Sequence, residues 1–556
     1  MSDFTKTLKI FFSSPLKLVI SSAVILALFL RWFKLGNVPL SLYWDEIAML
    51  ADAKSVAERG VDLHGNHWLQ PMFLSYGDYK LPVYIWLTTL AVKLFGATRF
   101  ALRLPAALAG LGTIVILLLI AKELLFPKKK ISELQTKFYL IALPLLFSPW
   151  AILFARTGFE GHVGQMLLSL AVLFLLRARK KITYLVPAQI FAVLATYAYF
   201  SVRFVWPVLM IAGWSLFVLR KEKPRQFLKK ITCWLILSLI GYFLCLMPMV
   251  KSEYYEASNK LRLSTTSILN SFDFALESNI LREQAGNYTI SRLFYHRHWL
   301  LVKQLLQNMA KNLDFSYLFL RGDQNLRHGT QQHGLFLLPF LPFLFYGLYK
   351  LWQKHKAETL FLGCWWLVAL VPAAVPMDTP HALRSLNALV PASLIIGVGV
   401  YHGFFALSKY FKILWAGWLF LALIHFTFTY FVTYPQYSAP DWQYGYQQLA
   451  EDACELRTDV DEVWVSLSDR QFFLWTLIYC DYDYEDIEEL QGDTTHLTNL
   501  HNVYFKEHDE KGFLSTEKKV LFISSRGEEQ LGQFEAWKTF APHDEKTYTY
   551  FYNYEK

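Results

Sequence analysis

Asp45 and Glu46 stand side by side in SLYWDEIAML, residues 41–50, just after the first long apolar run. Adjacent carboxylates can take a proton from a hydroxyl, hold a cation or orient a substrate. The plainer alternative is a helix start, with Asp45 as N-cap and Glu46 favoured by the helix dipole. Further along come Asp78 and Lys80, then Arg156, Glu160 and His162, then Arg327 with His328, and His381 with Arg384. Carboxylates mixed with Lys and Arg suit a reaction on an anionic substrate, in which one carboxylate acts as base and the cations grip a phosphate. Whether these groups meet depends on the elements that carry them.

Those elements are membrane helices. The chain has 556 residues, 54% hydrophobic and only 18% charged, against about 25% charged in soluble domains. The apolar residues gather into runs of about 18–22, the length a helix needs to cross a bilayer. The net charge of +9 is unevenly spread. Residues 434–556 hold 25 acidic and 10 basic side chains, a net of −15, which leaves 20 acidic and 44 basic in residues 1–433. The basic excess flanks apolar runs, so it sets topology rather than binding nucleic acid. No small-residue cleavage site follows the first run, which reads as a retained span.

Charge bias gives the topology. Lys6, Lys9 and Lys17 put the N-terminus in the cytoplasm. The run 81–95 is short and starts with Leu81-Pro82. Treated as an interfacial or re-entrant helix, it keeps Lys128, Lys129 and Lys130 inside. Spans then fall at about 16–33, 100–125, 137–155, 161–177, 182–199, 204–219, 231–250, 335–352, 358–376, 385–407 and 413–433. These eleven spans make residues 1–433 a membrane domain with outer loops 34–99 and 251–334. The chemistry-bearing residues all fall on the outer face.

The tail, 434–556, reads as a small extracytoplasmic α/β domain. A helix is expected over 441–457 with Asp441 as N-cap, and another over 471–480. Strands are expected at 462–466, 503–505, 520–523 and 547–554. It carries no glycine-rich phosphate loop and no nucleophile elbow, so it reads as accessory. Cys454 and Cys480 both lie in it, and an oxidising compartment would allow them to pair. No CxxC or zinc spacing is present.

Trp44-Asp45-Glu46, Lys80-Leu81-Pro82 opening an amphipathic helix, Phe95-Gly96, and Arg103-Leu104-Pro105 together resemble membrane glycosyltransferases of the C-type (GT-C) fold. The likeness is to the branch of dolichyl-phosphate-mannose protein mannosyltransferases and the lipid A aminoarabinose transferase. It covers about residues 15–215, and 335–433 by pattern alone. The resemblance implies a polytopic α-helical protein of the cell membrane that moves a sugar, with inversion, from a polyprenyl-phosphate donor to a lipid, glycan or protein acceptor. It also implies that Asp45, with Glu46 and Glu160, supplies the acid–base groups. Lys80, Asp78, Arg156, Arg384, His381, Arg327 and His328 are then the candidate substrate contacts. Two departures stand out: Asp78-Tyr79-Lys80-Leu81-Pro82 replaces Glu-Lys-Pro-Pro, and the second acid is Glu160 rather than Asp. No nucleotide cofactor is expected, and the acids leave room for a divalent metal whose ligands the sequence does not identify. The rivals are a lipid or oligosaccharide transporter, which calls for internal repeats and mid-membrane charges, and a non-catalytic envelope scaffold.

Overall fold

The computed structural model describes residues 15–220, 225–268, 273–286, 288–467, 471–490, 496–506, 509–525, 527, 529–543 and 546–553. Lys6 and Lys9, and part of the basic loop at 221–224, fall outside them. The chain divides into two compact units. The first is Met1–Phe33 with Ala106–Tyr430, and the second is Lys34–Pro105 with Phe431–Lys556.

The first unit is helical, and each predicted span holds a helix. The first is Pro15–Trp32. Arg99–Leu125 follows, beginning in the second unit. The span predicted at 137–155 is broken into Gln135–Leu146 and Pro149–Phe154. Ser148 makes the break, because its side chain caps the second piece by accepting from the Ala151 amide, and Pro149 fits the first helical position. Glu160–Arg177, Leu185–Ala198, Val202–Leu219 and Arg225–Val250 come next. Leu341–Lys354, Lys356–Ala374, Leu389–Ala406 and Lys409–Phe428 complete the set. Among the described residues, six helices are long and apolar enough to cross a membrane, with shorter apolar helices beside them. Leu389–Ala406 is the most enclosed, and its glycines let neighbours approach at backbone distance. A Cβ on Gly399 would lie 1.9 Å from the Phe343 carbonyl oxygen, and one on Gly347 would lie 1.9 Å from that of Ile395. Small residues at helix contacts are how helices in lipid gain close packing.

The segment 251–334 folds as amphipathic pieces, Glu253–Thr266, Phe274–Gln284, Thr289–Phe294 and Arg297–Lys311. They precede a π-helical turn at Ser316–Leu320.

In the second unit, Trp44–Arg59 is a helix closed by Gly60 in the left-handed region. A hairpin follows, β1 (Phe73–Ser75) paired antiparallel with β2 (Asp78–Lys80). Its turn holds Gly77 at φ 92, a backbone state that glycine reaches without strain. Leu81 and Pro82 then start the helix Pro82–Phe95. Its 14 residues extend about 21 Å, short of a hydrocarbon core of about 30 Å.

The tail builds a seven-stranded sheet. Its strands are β3 (Glu462–Ser466), β4 (Asn499–Leu500), β5 (Val503–Phe505), β6 (Val520–Ser524), β7 (Gln530–Leu531), β8 (Phe534–His543) and β9 (Lys546–Tyr552), in the order β4-β5-β3-β6-β9-β8-β7. β3 pairs in parallel with β5 and β6, and the other ladders are antiparallel. The sheet packs a core of Trp464, Phe513, Val520, Phe522, Leu531 and Phe551. Two expectations are corrected here. The helix predicted from Asp441 starts at Tyr446, because Gln443 and Gly445 both take positive φ and break the path. The ten-residue β8, with its register shifts against β9, was missed because its mixed polar sequence lacks a clean alternation. Cys454 and Cys480 are disulfide-bonded, with Cα atoms 5.8 Å apart.

Candidate active site

In the second unit, local structure brings the first pair of carboxylates to Lys80. Residues 78 and 80 share a face of β2 because strand side chains alternate. The Lys80 Nζ donates to Asp78 Oδ2 at 3.1 Å and to Asp45 Oδ1 at 2.6 Å. The lysine is buried, while the Asp45 and Asp78 side chains are about a third exposed, 32% and 33%. Asp45 is not the N-cap. That position belongs to Tyr43, and the Asp45 side chain turns to Lys80 instead. Lys80 thus supplies the positive charge that faces both carboxylates.

Glu46 faces the other way. Its side chain and that of Arg103 are fully buried, with the Arg103 Nε 3.2 Å from Oε1 and Nη2 3.1 Å from Oε2. Arg103 also donates to the carbonyls of Leu35, Pro39 and Ser41 and lies over the Trp442 ring. This bidentate pair fixes the loop ahead of the helix.

The tail holds the same loop. Gln471 donates to the Tyr76 carbonyl in the hairpin turn, Lys54 to the Leu477 carbonyl at 3.0 Å, and His64 Nδ1 lies 2.7 Å from the Leu490 carbonyl. Tyr43 packs edge-on to Trp442, and Tyr76 to Phe473. The segment that reads as an accessory tail is part of the compact unit that carries Asp45 and Lys80. Its only signal in the sequence is the density of aromatic residues at 442–475. Beneath the loop, Asp52 is fully buried with Oδ2 lacking a hydrogen-bond partner. Burial, reinforced by the charge of Asp62, pushes its carboxyl well above the usual range.

The remaining candidates lie in the first unit. Glu160 is the first residue of Glu160–Arg177 and is half-buried. His162, two residues on, is completely buried with neither ring nitrogen hydrogen-bonded. Arg156 is buried too, donating to the Leu30 carbonyl at 2.9 Å and stacking on Tyr430. Arg384 has a buried Nη1 with no hydrogen-bond partner, and its backbone N–H donates to His381 Nδ1 at 3.3 Å. Burial draws Arg384 below the usual arginine value. Two further cations were not singled out in the sequence. Arg262 lies close to both Arg384 and Arg203, and Arg203 has Nε and Nη1 buried without hydrogen-bond partners. Both stack on Phe200. Helical separation hides this trio, since 58 residues or more of intervening chain part each member from the next along the sequence.

Arg327 folds back, its Nε donating to Asn325 Oδ1 at 3.3 Å. His328 and His381 meet with ring centroids 4.6 Å apart. Burial, then the charges of His328, Arg384 and Arg327, drive His381 well below the ordinary histidine range. Among the described residues, Asp323, His328 and His381 form the group whose potential metal-ligating atoms lie within 4.8 Å of one another.

No family model matches the sequence. No curated protein matches it either. Solved structures do. ArnT from Cupriavidus metallidurans bound to undecaprenyl phosphate aligns over 97% of this chain and 98% of its own, with TM-score 0.53 and 11% identity. The apo form aligns over 96% and 97%, again with TM-score 0.53 and 11% identity. The apo oligosaccharyltransferase of Archaeoglobus fulgidus aligns over 93% of this chain and 70% of its own, with TM-score 0.49 and 12% identity. Nearly end to end, and despite the low identity, the chain has the fold of the ArnT structures, the C-type fold of polytopic membrane glycosyltransferases.

Proposed function

We propose that this protein is a glycosyltransferase that takes a hexosyl or pentosyl unit from a polyprenyl-phosphate donor. It passes that sugar, with inversion, to a lipid, glycan or protein acceptor outside the membrane. The observation that carries the reading is the buried Lys80 ammonium held between two part-exposed carboxylates at the start of a short apolar helix. The fold-mate crystallised with undecaprenyl phosphate supports the donor class. The Cys454–Cys480 disulfide supports an oxidising, extracytoplasmic setting for the tail, and the lysines ahead of the first apolar run support a cytoplasmic N-terminus.

The chemistry needs little. Phosphate is already a good leaving group, so no general acid is required. Asp45 takes the proton of the acceptor hydroxyl as its oxygen bonds to the anomeric carbon. The bond from that carbon to the phosphate oxygen breaks, and the electron pair stays on the phosphate. Lys80 turns from the carboxylates to the developing phosphate charge, a shift that stabilises the transition state more than the ground state. Asp78 holds the lysine in place between turnovers. In its own unit, Arg384, with Arg203 and Arg262 near it, is a second candidate for contact with an anion.

The test is a transfer assay. Purified protein in nanodiscs is given polyprenyl-phosphate hexose or pentose with an envelope extract as acceptor, and free polyprenyl phosphate is followed by mass spectrometry. Release that depends on Lys80 is the expected result. Intact donors that instead cross sealed proteoliposomes would make the protein a transporter.

A further inference from the structure

A second cluster lies in the first unit, and the transfer steps written above do not draw on it. Asp323, His328 and His381 come from two loops about 50 residues apart in sequence, and all three are buried, at 4%, 7% and 5% exposure. The 321–334 segment supplies the first two. Asp323 opens a tight turn there, its Oδ1 accepting from the Asn325 amide at 2.9 Å. His381 comes from the loop before Leu389–Ala406 and is held at its backbone by Asn312, whose Oδ1 accepts from the His381 amide at 3.3 Å. Trp150 steadies the same loop by donating its indole N–H to the Ala382 carbonyl at 3.0 Å.

We infer that Asp323, His328 and His381 bind a divalent cation of the zinc class, stapling the 321–334 segment to the 377–385 loop.

The chemistry fits. Imidazole and carboxylate are the ligands such ions choose, and three protein ligands leave a fourth position for water. Around a tetrahedral ion with bonds of about 2.0–2.1 Å, neighbouring ligand atoms lie about 3.4 Å apart. Here Asp323 Oδ2 and His328 Nδ1 are 3.5 Å apart, and all three ligand atoms fit within 4.8 Å. His328 Nδ1 is buried and makes no hydrogen bond, although it points at a carboxylate. Among the described residues, Asp323 has an ion-pair contact only with His328, which is charged only when protonated. A buried carboxylate calls for a cation. Beside the pair is a cavity of about 10 Å³, lined in part by Trp150, Leu153 and Thr330, with room for one water-sized atom.

An outer shell is also in place. Asp323 Oδ2 accepts from the Ala382 amide at 2.7 Å, which orients the carboxylate. His328 is wedged between Phe154 and Phe159. The Arg384 amide donates to His381 Nδ1 at 3.3 Å, a further contact that orients this ring.

The full chain, purified through a tag without histidines, is assayed by plasma mass spectrometry after growth with zinc. About one equivalent of zinc should remain bound. Chelated protein should regain thermal stability when micromolar Zn²⁺ is added, and Co²⁺ should give the visible absorption bands of a four-coordinate nitrogen and oxygen site. Asp323→Asn and His328→Gln should each lose the metal and the zinc-dependent gain. Retention of zinc by both variants would overturn the site, as would wild-type protein that binds no zinc. Should the variants fail to fold, the Co²⁺ spectrum of wild-type protein decides: without ligand-field bands, the cluster is a hydrogen-bonded Asp–His pair. None of these readouts depends on transferase activity.

Discussion

Lys80 and Asp45 form a 2.6 Å ion pair in which the lysine is buried and the carboxylate is a third exposed. Because Tyr43 holds the N-cap position, Asp45→Asn leaves the helix start intact, and Asp78 still anchors the lysine. Turnover should fall by about 10²-fold or more, the scale of general-base assistance, with little change in thermal stability. Lys80→Met should raise the KM for the donor as well as lower kcat. Near-normal turnover in Asp45→Asn would reduce the residue to a counter-ion for Lys80.

Glu46 and Arg103 lie one residue and 23 residues from catalytic candidates, yet both are sealed from solvent. Removing one member of such a pair leaves the other charge buried, at a cost of about 3–5 kcal/mol. Glu46→Ala should therefore lower the thermal midpoint and expose the 34–105 loop to protease, with activity lost as a consequence. Unchanged stability with collapsed turnover would return Glu46 to the chemistry.

Asp52 gives a pH signature. Its folded-state pKa is raised above the unfolded one by burial and by Asp62, so folding favours the protonated form. That contribution is present at acid pH and is lost as pH rises through the raised value. Asp52→Asn keeps an oxygen for the Leu63 amide and carries no charge. The variant should match wild type near pH 4 and unfold at a higher temperature at pH 8. Identical melting curves at both pH values would mean that Asp52 titrates normally.

The orientation is tested by single cysteines in a chain whose native cysteines in the helices are replaced. Lys129→Cys lies in an exposed basic loop, and Leu276→Cys lies on the exposed face of Phe274–Gln284. A membrane-impermeant maleimide added to intact cells should label only the second. Labelling of Lys129→Cys from outside would make 81–95 a full span and put Arg156, Glu160 and Arg384 on the opposite membrane face from Asp45.

The sequence alone determined the helices and much of the arrangement around Lys80. Apolar runs are local in sequence, so every predicted span contains a helix, and Asp78, Lys80 and Pro82 lie close enough together for strand and helix rules to aim them. Asp45 and Lys80, 35 residues apart, were brought together only by resemblance to a known loop. Tertiary structure decided the rest, because burial and pairing depend on contacts distant in the chain. It turned Glu46 inward to Arg103, set the aromatic tail against the loop that carries Asp45, and gathered Arg203, Arg262 and Arg384 from separate helices and a loop. It also brought His381 against His328, across 53 residues, where neither histidine has a neighbour in sequence to mark it as a ligand.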